Sequence, residues 1–290
     1  MTDKFNINYN KKYTLNIHGL LMDLSVPKVM GIINITPDSF HSHSRCCDEK
    51  EIVNRFEQMV NEGADIIDIG GCSTRPGSNQ PLLEEEWSRV EKALKIIKKF
   101  NINIPLSIDT YRSEIAYRSV EEYGVAIIND ISGGSIDCKM WETVARLKVP
   151  YVLTHMRGEI SDMMYKTSYY DVTAEVIKEL SWKANELYKS GVCDIIIDPG
   201  FGFAKTREQN FKLLAELEEV CRMGMPVLAG ISRKSMICKT LDCLPENALN
   251  GSVVLNTIAL IKGASILRVH DVKEASETIR LLTQIKKSVQ

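Results

Sequence analysis

Eight short apolar runs alternate with helix-length segments along the chain, and each run carries a polar residue at or near its end. The runs are Val29–Ile35, Asp65–Gly71, Leu106–Thr110, Ala126–Ile131, Tyr151–Met156, Asp194–Gly200, Val227–Ser232 and Ile266–Asp271. Continuous β-branched runs of this kind are typical of parallel strands buried on both faces. Strict strand–helix alternation leaves two architectures, the closed eight-stranded barrel and the open doubly wound sheet.

Polar residues on nearly every run favour the closed barrel. An open sheet concentrates its ligand residues at one switch point, whereas a barrel enzyme collects them from the C-terminal ends of many strands. We therefore predict an α/β protein with a single (β/α)8 TIM barrel over residues 28–290. Alternation in Tyr13–Leu24 around Gly19 predicts a β-hairpin, within an extension of residues 1–27, that caps the N-terminal end of the barrel.

The composition is typical of a soluble globular protein. The net charge is −2 with no basic tract, which leaves no electrostatic footprint for nucleic acid. No apolar run approaches the roughly 18 residues of a membrane span, and the polar start Met1–Tyr9 is not a signal peptide, so we expect a cytoplasmic protein. The eight cysteines form no Cys-x-x-Cys pair, which favours buried thiols over a metal or disulfide framework.

The loops after the first two predicted strands contain candidate ligands for an anion and its counter-ion. Asn34 can offer a carbonyl oxygen to a hard cation such as Mg²⁺, although its segment is also typical of a plain turn. Gly70–Gly77 combines glycine-rich backbone with Thr74 and Arg75, a set that suits an anion. It lacks the spacing of a P-loop, and an ordinary strand-to-helix loop remains the alternative.

Three polar side chains end the third, fourth and sixth runs. Asp109, Asn129 and Asp198 are expected inside the barrel mouth, where an unpaired charge is too costly to serve packing alone. Two carboxylates and an amide match a flat ligand rich in N–H donors, such as the edge of a pterin or a guanine. A pair of acid and base carboxylates for sugar chemistry is the alternative.

The last two runs indicate an anion site. Ser235 lies near the start of a predicted helix, where free amides and the helix dipole favour a carboxylate or a phosphate. Arg268 and His270 fall on the same side of the eighth strand, at the usual phosphate corner of such barrels. Alone, His270 can equally be a structural histidine. With Arg268, Lys234 and Arg75 it indicates a polyanionic group at the mouth.

Taken together, these segments resemble dihydropteroate synthases, and the resemblance extends from Val29 to about Leu281. The matching motifs are Asn-Ile-Thr-Pro-Asp-Ser-Phe, Ser-Thr-Arg-Pro-Gly, Ile-Asp-Thr, Asn-Asp-Ile-Ser-Gly-Gly, His-Met-Arg-Gly, Asp-Pro-Gly-Phe-Gly-Phe, Ser-Arg-Lys-Ser and Arg-Val-His-Asp-Val. All of them occur in order at the ends of successive predicted strands, so their combination is specific.

The resemblance implies a transferase of folate biosynthesis that joins 6-hydroxymethyl-7,8-dihydropterin diphosphate to p-aminobenzoate, giving 7,8-dihydropteroate and pyrophosphate. It assigns the pterin ring to Asp109, Asn129, Asp198 and Lys234. It places the diphosphate and Mg²⁺ among Asn34, Thr74, Arg75, Arg268 and His270, with Asn34 as the metal ligand. It places p-aminobenzoate among Phe40, Pro76, Phe203 and Ser235. It also implies a homodimer and a sulfonamide target.

Four positions depart from the family pattern. The loop His41–Cys46 replaces a Ser-Asp-Gly-Gly sequence, Cys72 stands where Glu or Gln is frequent, Ala204 replaces a glycine, and Ile160 replaces a proline. The changed loop is expected to cover the site.

Two other functions remain open. A methyltetrahydrofolate-binding methyltransferase shares the acidic pterin residues, but it has no need for the segments around Lys234 and Arg268. A catalytically silent pterin-binding homologue is expected to lose one of those two charges.

Overall fold

The structure is a computed structural model that describes residues 12–35, 49–73 and 80–289. Its strands are β1 (Thr14–Ile17), β2 (Leu20–Asp23), β3 (Lys28–Asn34), β4 (Ile66–Gly70), β5 (Leu106–Asp109), β6 (Ile127–Asp130), β7 (Tyr151–Thr154), β8 (Ile195–Asp198), β9 (Leu228–Ala229) and β10 (Ile266–Val269). Its helices are α1 (Glu49–Asn61), α2 (Leu83–Lys98), α3 (Ser113–Tyr123), α4 (Met140–Leu147), α5 (Val172–Lys189), α6 (Arg207–Ala215), α7 (Leu217–Cys221), α8 (Ser235–Leu241), α9 (Leu249–Ile261) and α10 (Val272–Val289). Two single 3₁₀ turns lie at Met163–Tyr165 and Pro245–Asn247.

Strands β3 to β10 form one parallel sheet that closes on itself. The hydrogen-bonded order is β8-β7-β6-β5-β4-β3-β10-β9. A parallel bridge between Ile197 and Val227 joins the two ends of this order. The closed (β/α)8 TIM barrel is therefore confirmed, and the open doubly wound sheet is excluded.

Side chains alternate between the inside of the barrel and its helical shell, as the period of a strand requires. On β8, Ile195 and Ile197 pack with the helices, while Ile196 belongs to a second apolar cluster inside the barrel. The barrel-strand residues of that inner cluster are Met30, Ile66, Ile127, Val152, Ile196, Leu228 and Ile266. Each comes early in its strand, so the lower part of the interior is apolar and the polar residues that follow occupy the upper part.

The predicted hairpin is confirmed, and it closes the lower end of the barrel. Strands β1 and β2 pair antiparallel through a two-residue turn, His18 and Gly19, in which both φ angles are positive, at 51° and 85°. Leu15 and Ile17 join the apolar cluster inside the barrel. The boundary between residues 1–27 and 28–290 stays a prediction.

Two details differ from the sequence-based expectations. Apolar residues at 3.6-residue spacing over Phe211–Val220 predict one continuous helix. The structure has two helices here, α6 and α7, separated at Glu216, whose φ of −105° leaves the helical range. The apolar spacing continues across this break, so periodicity alone does not detect it.

Of the described cysteines, all free, Cys72 is buried as predicted, but Cys138 and Cys193 are exposed because they lie in connecting segments rather than in strands. Within the described ranges no helix has both the length and the apolarity to cross a bilayer.

Truncating Leu15 tests whether the hairpin is an integral plug of the barrel. Leu15 is 1% exposed, so Leu15→Ala should lower the free energy of unfolding by about 2–5 kcal/mol through lost burial and a residual cavity. Leu21 lies on the other strand of the same hairpin and is 72% exposed. Leu21→Ala should therefore stay within about 0.5 kcal/mol in the same urea titration. Equal, small effects of both variants would show that the hairpin is not packed into the barrel.

Candidate active site

The polar residues predicted at the barrel mouth lie in one row across neighbouring strands. In the strand register, Asn34 pairs with Gly70, Gly70 with Asp109, and Asp109 with Asn129. A Cβ atom placed on Gly70 would lie 3.2 Å from Asn34 Oδ1 and 3.6 Å from Asp109 Oδ2. Gly70 thus leaves open the space that these two side chains flank. The structure brings together the predicted metal ligand and two of the predicted pterin ligands.

Arg268 crosses the barrel interior to two carboxylates. Its guanidinium donates from Nε to Asp68 Oδ2 at 2.7 Å and from a terminal nitrogen to Asp109 Oδ2 at 2.5 Å. Burial raises the pKa of Asp109 to about 7, against the lowering effect of Arg268. The predicted diphosphate residue Arg268 therefore contacts a predicted pterin residue directly.

Asp68 is a site residue that the sequence analysis missed. It lies in the middle of β4, its side chain is fully buried, and its Oδ2 also accepts a hydrogen bond from Asn129 Nδ2 at 3.0 Å. The sequence does contain a feature that could have identified Asp68. It is the one carboxylate inside the apolar run Ile66–Gly70, and it lies two residues before Gly70, so both residues point to the same face of the strand.

Asp198 and Lys234 interact electrostatically at the mouth. Asp198 Oδ1 accepts the backbone N–H of Gly200 at 2.7 Å, and burial raises the pKa of its carboxyl, opposed by the charge of Lys234. Lys234 Nζ donates to the carbonyl of Phe201 and lies 4.3 Å from the centre of the Phe203 ring. Burial lowers the pKa of Lys234 to about 8, opposed by Asp198. The structure therefore places Phe203 against a predicted pterin residue.

His270 forms the corner between β10 and the loop after β9. Its Nδ1 lies 3.1 Å from Ser232 Oγ, which also accepts the backbone N–H of His270 at 3.2 Å. Burial, and then the charge of Arg268, lower the pKa of His270 to about 4. The ring is therefore neutral at physiological pH, and it can serve an anion as a hydrogen-bond donor rather than as a charge.

A buried charged network supports the loop after β8, and the sequence analysis assigned it no role. Lys205 Nζ contacts the carbonyls of Gly200 and Phe203 and His155 Nδ1, at 3.0, 3.1 and 3.0 Å. His155 Nε2 lies 3.0 Å from Glu179 Oε2 on α5. Because Lys205 donates to Nδ1, the proton of the neutral imidazole lies on Nε2 and bonds the carboxylate. The network ties the loop that contains Phe203 to β7 and α5.

The same loop contains one of the departures from the family pattern, Ala204 in place of a glycine. Ala204 has a φ of +48°, in the left-handed region that favours glycine. The glycine that is usual at this position relieves a strain of about 1–2 kcal/mol that Ala204 retains. Cys72 and Ile160, two other departures, are buried in an apolar cluster with Ile131, Met156 and Phe203. Ile160 exchanges one apolar residue for another, whereas Cys72 puts a neutral thiol where the resemblance expects Glu or Gln.

Of the five remaining predicted site residues, the structure describes one, and the other four lie outside the described ranges. Ser235 is the exposed first residue of α8, as predicted, and Lys234 precedes it as the N-cap. Phe40, Thr74, Arg75 and Pro76 lie outside the described residues, as does the loop His41–Cys46.

The buried state of His155 predicts a loss of stability in mild acid. Burial, and then the nearby charge of Lys205, lower the pKa of His155 from 6.5 to about 4. A base with a depressed pKa stabilises the fold above its unfolded pKa and loses that contribution as the pH falls toward its folded pKa. The lowered pKa of His155 corresponds to about 3 kcal/mol of folding free energy, lost as the pH falls from 6.5 to 4.

The non-titrating variant His155→Gln should show a smaller acid loss in free energy of unfolding than the parent, measured by urea titration at neutral pH and at about pH 5. His18→Gln, at an exposed histidine, serves as the control and should keep the parental acid loss. A parental pH dependence in His155→Gln would contradict the buried neutral state.

Comparisons with known proteins agree with this geometry. A family model described as "Pterin binding enzyme" matches residues 30–270. The dihydropteroate synthase of Escherichia coli K12 is 39% identical over 266 residues, which cover 91% of this chain and 93% of that protein. The folic acid synthesis protein fol1 of Pneumocystis carinii is 42% identical over 269 residues, 90% of this chain, but this chain spans only 36% of its length.

A solved structure extends the likeness to three dimensions. Xanthomonas albilineans dihydropteroate synthase with 4-aminobenzoic acid superposes with a TM-score of 0.87 at 36% identity, covering 95% of this chain and 98% of that one. The family match covers most of the sequence and contains every polar strand end described above. The chain belongs to the pterin binding enzyme family.

Proposed function

We propose that the chain is a dihydropteroate synthase, a transferase that joins 6-hydroxymethyl-7,8-dihydropterin diphosphate to p-aminobenzoate and releases pyrophosphate and 7,8-dihydropteroate. The observation that carries the proposal is the set of buried acceptors Asp109, Asn129 and Asp198 around one barrel mouth. The Escherichia coli and Xanthomonas albilineans relatives with this activity, matched over nearly their full lengths, support it.

The acceptor set fits the pterin ring. A pterin edge presents several N–H donors, and a carboxylate or an amide oxygen satisfies each of them. Lys234 lies close enough to Asp198 for their charges to interact, so it can donate to an acceptor of the same ligand. Ile131 and Met156 belong to the apolar cluster beside these polar groups and can cover a face of the ring. A buried polar group that finds no hydrogen-bond partner on the ligand is costly, so this subsite selects a ligand by its pattern of donors.

The second substrate subsite is assigned to Phe203 and Ser235, together with Phe40 and Pro76. Phe203 packs in the apolar cluster next to Lys234, and Ser235 opens α8 at the edge of the mouth. An aromatic amine with a carboxylate suits such a pair, because the ring packs on Phe203 and the carboxylate reaches Ser235. A sulfonamide that mimics p-aminobenzoate is expected to bind in the same place.

The chemical step breaks the bond between the pterin methylene carbon and the diphosphate oxygen. The electron pair leaves with the diphosphate, the amine nitrogen attacks the carbocation-like carbon, and the resulting ammonium loses a proton. An aniline nitrogen is neutral near pH 7, so no side chain is needed to activate it. Arg268 and the neutral His270, with Thr74 and Arg75, are assigned to the leaving diphosphate, where donors that strengthen as charge develops speed the step.

Mg²⁺ is proposed as the cofactor, with Asn34 as its protein ligand. Asn34 Oδ1 is a hard oxygen donor beside the open space above Gly70, and such donors suit this ion. Within the described part of the chain no three His, Cys, Asp or Glu side chains are arranged to hold a metal. Asn34, diphosphate oxygens and water would therefore complete the coordination, as is usual for Mg²⁺. When bound, the ion would neutralise charge on the departing diphosphate.

A homodimer in the cytoplasm is proposed as the working form. Val254 on α9 and Leu281 and Ile285 on α10 are exposed apolar side chains, and α9 and α10 contact each other. Apolar side chains left exposed on two packed helices are candidates for the contact between two copies of the chain. Sedimentation velocity measures the state, and a monomer at micromolar concentration would contradict the proposal.

Incubation of the purified chain with the pterin diphosphate, p-aminobenzoate and Mg²⁺ should release pyrophosphate and form dihydropteroate in equal amounts. Chelation of divalent cations should stop the reaction, and added Mg²⁺ should restore it. No pyrophosphate release would favour a silent pterin-binding protein, whereas transfer of a methyl group from methyltetrahydrofolate would favour the methyltransferase. Activity that persists after chelation would contradict the proposed Mg²⁺ requirement but not the proposed reaction.

Asp198→Asn should weaken pterin binding by about 2–4 kcal/mol, because one acceptor becomes a donor that faces ring N–H groups. Calorimetric titration with the pterin diphosphate measures the effect. Asp194→Asn is the matched control. Asp194 precedes the same strand at the opposite end of the barrel, where it accepts the backbone N–H of Asn16 at 2.9 Å, a bond that asparagine can keep. Equal affinities of the two folded variants would reject the assignment of Asp198.

A further inference from the structure

Asp68 is more deeply buried than any predicted ligand of the pterin ring. Its residue exposure is 0%, compared with 8% for Asp109, 2% for Asn129 and 7% for Asp198. Its Oδ2 accepts from Arg268 and from Asn129, and its Oδ1 has no hydrogen-bond partner among the residues that the structure describes. A buried carboxylate with one unpaired oxygen is costly. A residue needed only to fill space would be apolar, as Ile66 is one inward position earlier.

The bond to Asn129 determines which end of that amide meets a ligand. A carboxylate paired with an arginine accepts hydrogen bonds and donates none, so Asn129 must turn its NH₂ group toward Asp68. The amide oxygen of Asn129 is then the atom available to the mouth. Without Asp68 the amide can rotate, and its NH₂ group would face the N–H donors of the ring.

The hydrogen bond between Asp68 and Arg268 fixes the position of the Arg268 guanidinium. Arg268 reaches from β10 to β4, two strands away in the sheet order, and Asp68 holds its Nε while Asp109 holds a terminal nitrogen. The two carboxylates, on β4 and β5, together hold the guanidinium across the interior. One carboxylate thus controls an amide on β6 and a guanidinium on β10.

We infer that Asp68 is a positioning residue for ring recognition, which turns Asn129 into a hydrogen-bond acceptor and anchors Arg268 beneath the ligand. The inference rests on the proposed function, because it takes the pterin ring as the group that Asn129 meets. Asp68 itself does not touch the substrate. It acts through the orientation of two side chains that do.

Two substitutions at Asp68 test this orientation. Asp68→Ala removes the oxygen that accepts from both Asn129 and Arg268, so the amide of Asn129 is free to present NH₂ to the ring. We expect about a tenfold to hundredfold weaker binding of the diphosphate-free probe 6-hydroxymethyl-7,8-dihydropterin. The KM for the pterin diphosphate should rise, and the KM for p-aminobenzoate should change little. Asp68→Asn can place its amide oxygen where Oδ2 lies and accept both hydrogen bonds, so it should recover most of the affinity that Asp68→Ala loses.

Asp65→Asn is the matched control, because Asp65 lies just before the same strand and pairs with Lys28 at 3.2 Å near the start of β3. It should bind the probe as the parent does. Parental probe affinity in folded Asp68→Ala, or an equal loss in Asp68→Ala and Asp68→Asn, would overturn the inference. If Asp68→Ala does not fold, Asp68→Asn must fold and bind the probe nearly as the parent does, and its failure overturns the inference too. A parent that releases no pyrophosphate refutes the proposed function instead.

Discussion

Arg268 lies inside the barrel between two carboxylates, and the arrangement of the other polar groups depends on this ion pair. Asp68 and Asp109 come from adjacent strands, and each is too deeply buried to remain charged without a partner. Breaking a buried pair by removing one member usually costs about 3–5 kcal/mol. The three residues therefore act as one unit, and any ligand that approaches Asp109 meets Arg268 at the same time.

The ion pair of Arg268 with Asp68 and Asp109 is possible because the barrel interior has an apolar lower part and a polar upper part. Its lower part is filled by Met30, Ile66, Ile196 and other apolar side chains, and the hairpin seals it from below with Leu15 and Ile17. Water is thereby excluded beneath the polar row, which strengthens every charge interaction above it. The same exclusion raises the pKa of Asp109 and lowers the pKa of Lys234. Apolar packing and ligand recognition are consequently two layers of the same strands.

A second charged network supports the opposite wall of the mouth. Lys205 bonds two carbonyls of the loop after β8 and one nitrogen of His155, and His155 in turn bonds Glu179. None of these side chains was assigned to a substrate. Their effect is to hold Phe203 and the Asp198 turn in place while the left-handed Ala204 tends to distort the loop. Side chains that contact the ligand are thus supported by buried side chains that do not.

The sequence by itself determined the alternation of strands and helices, the hairpin, and which residues end each strand, because these follow from local periodicity and turn chemistry. It correctly placed Asn34, Asp109, Asn129 and Asp198 at strand ends that the barrel closes into one mouth. The tertiary structure alone decided which charges meet. Asp68 and Arg268 are 200 positions apart, and His155 and Lys205 are 50 apart. Their contacts depend on strand register, barrel closure and the direction of long side chains, which no local pattern encodes.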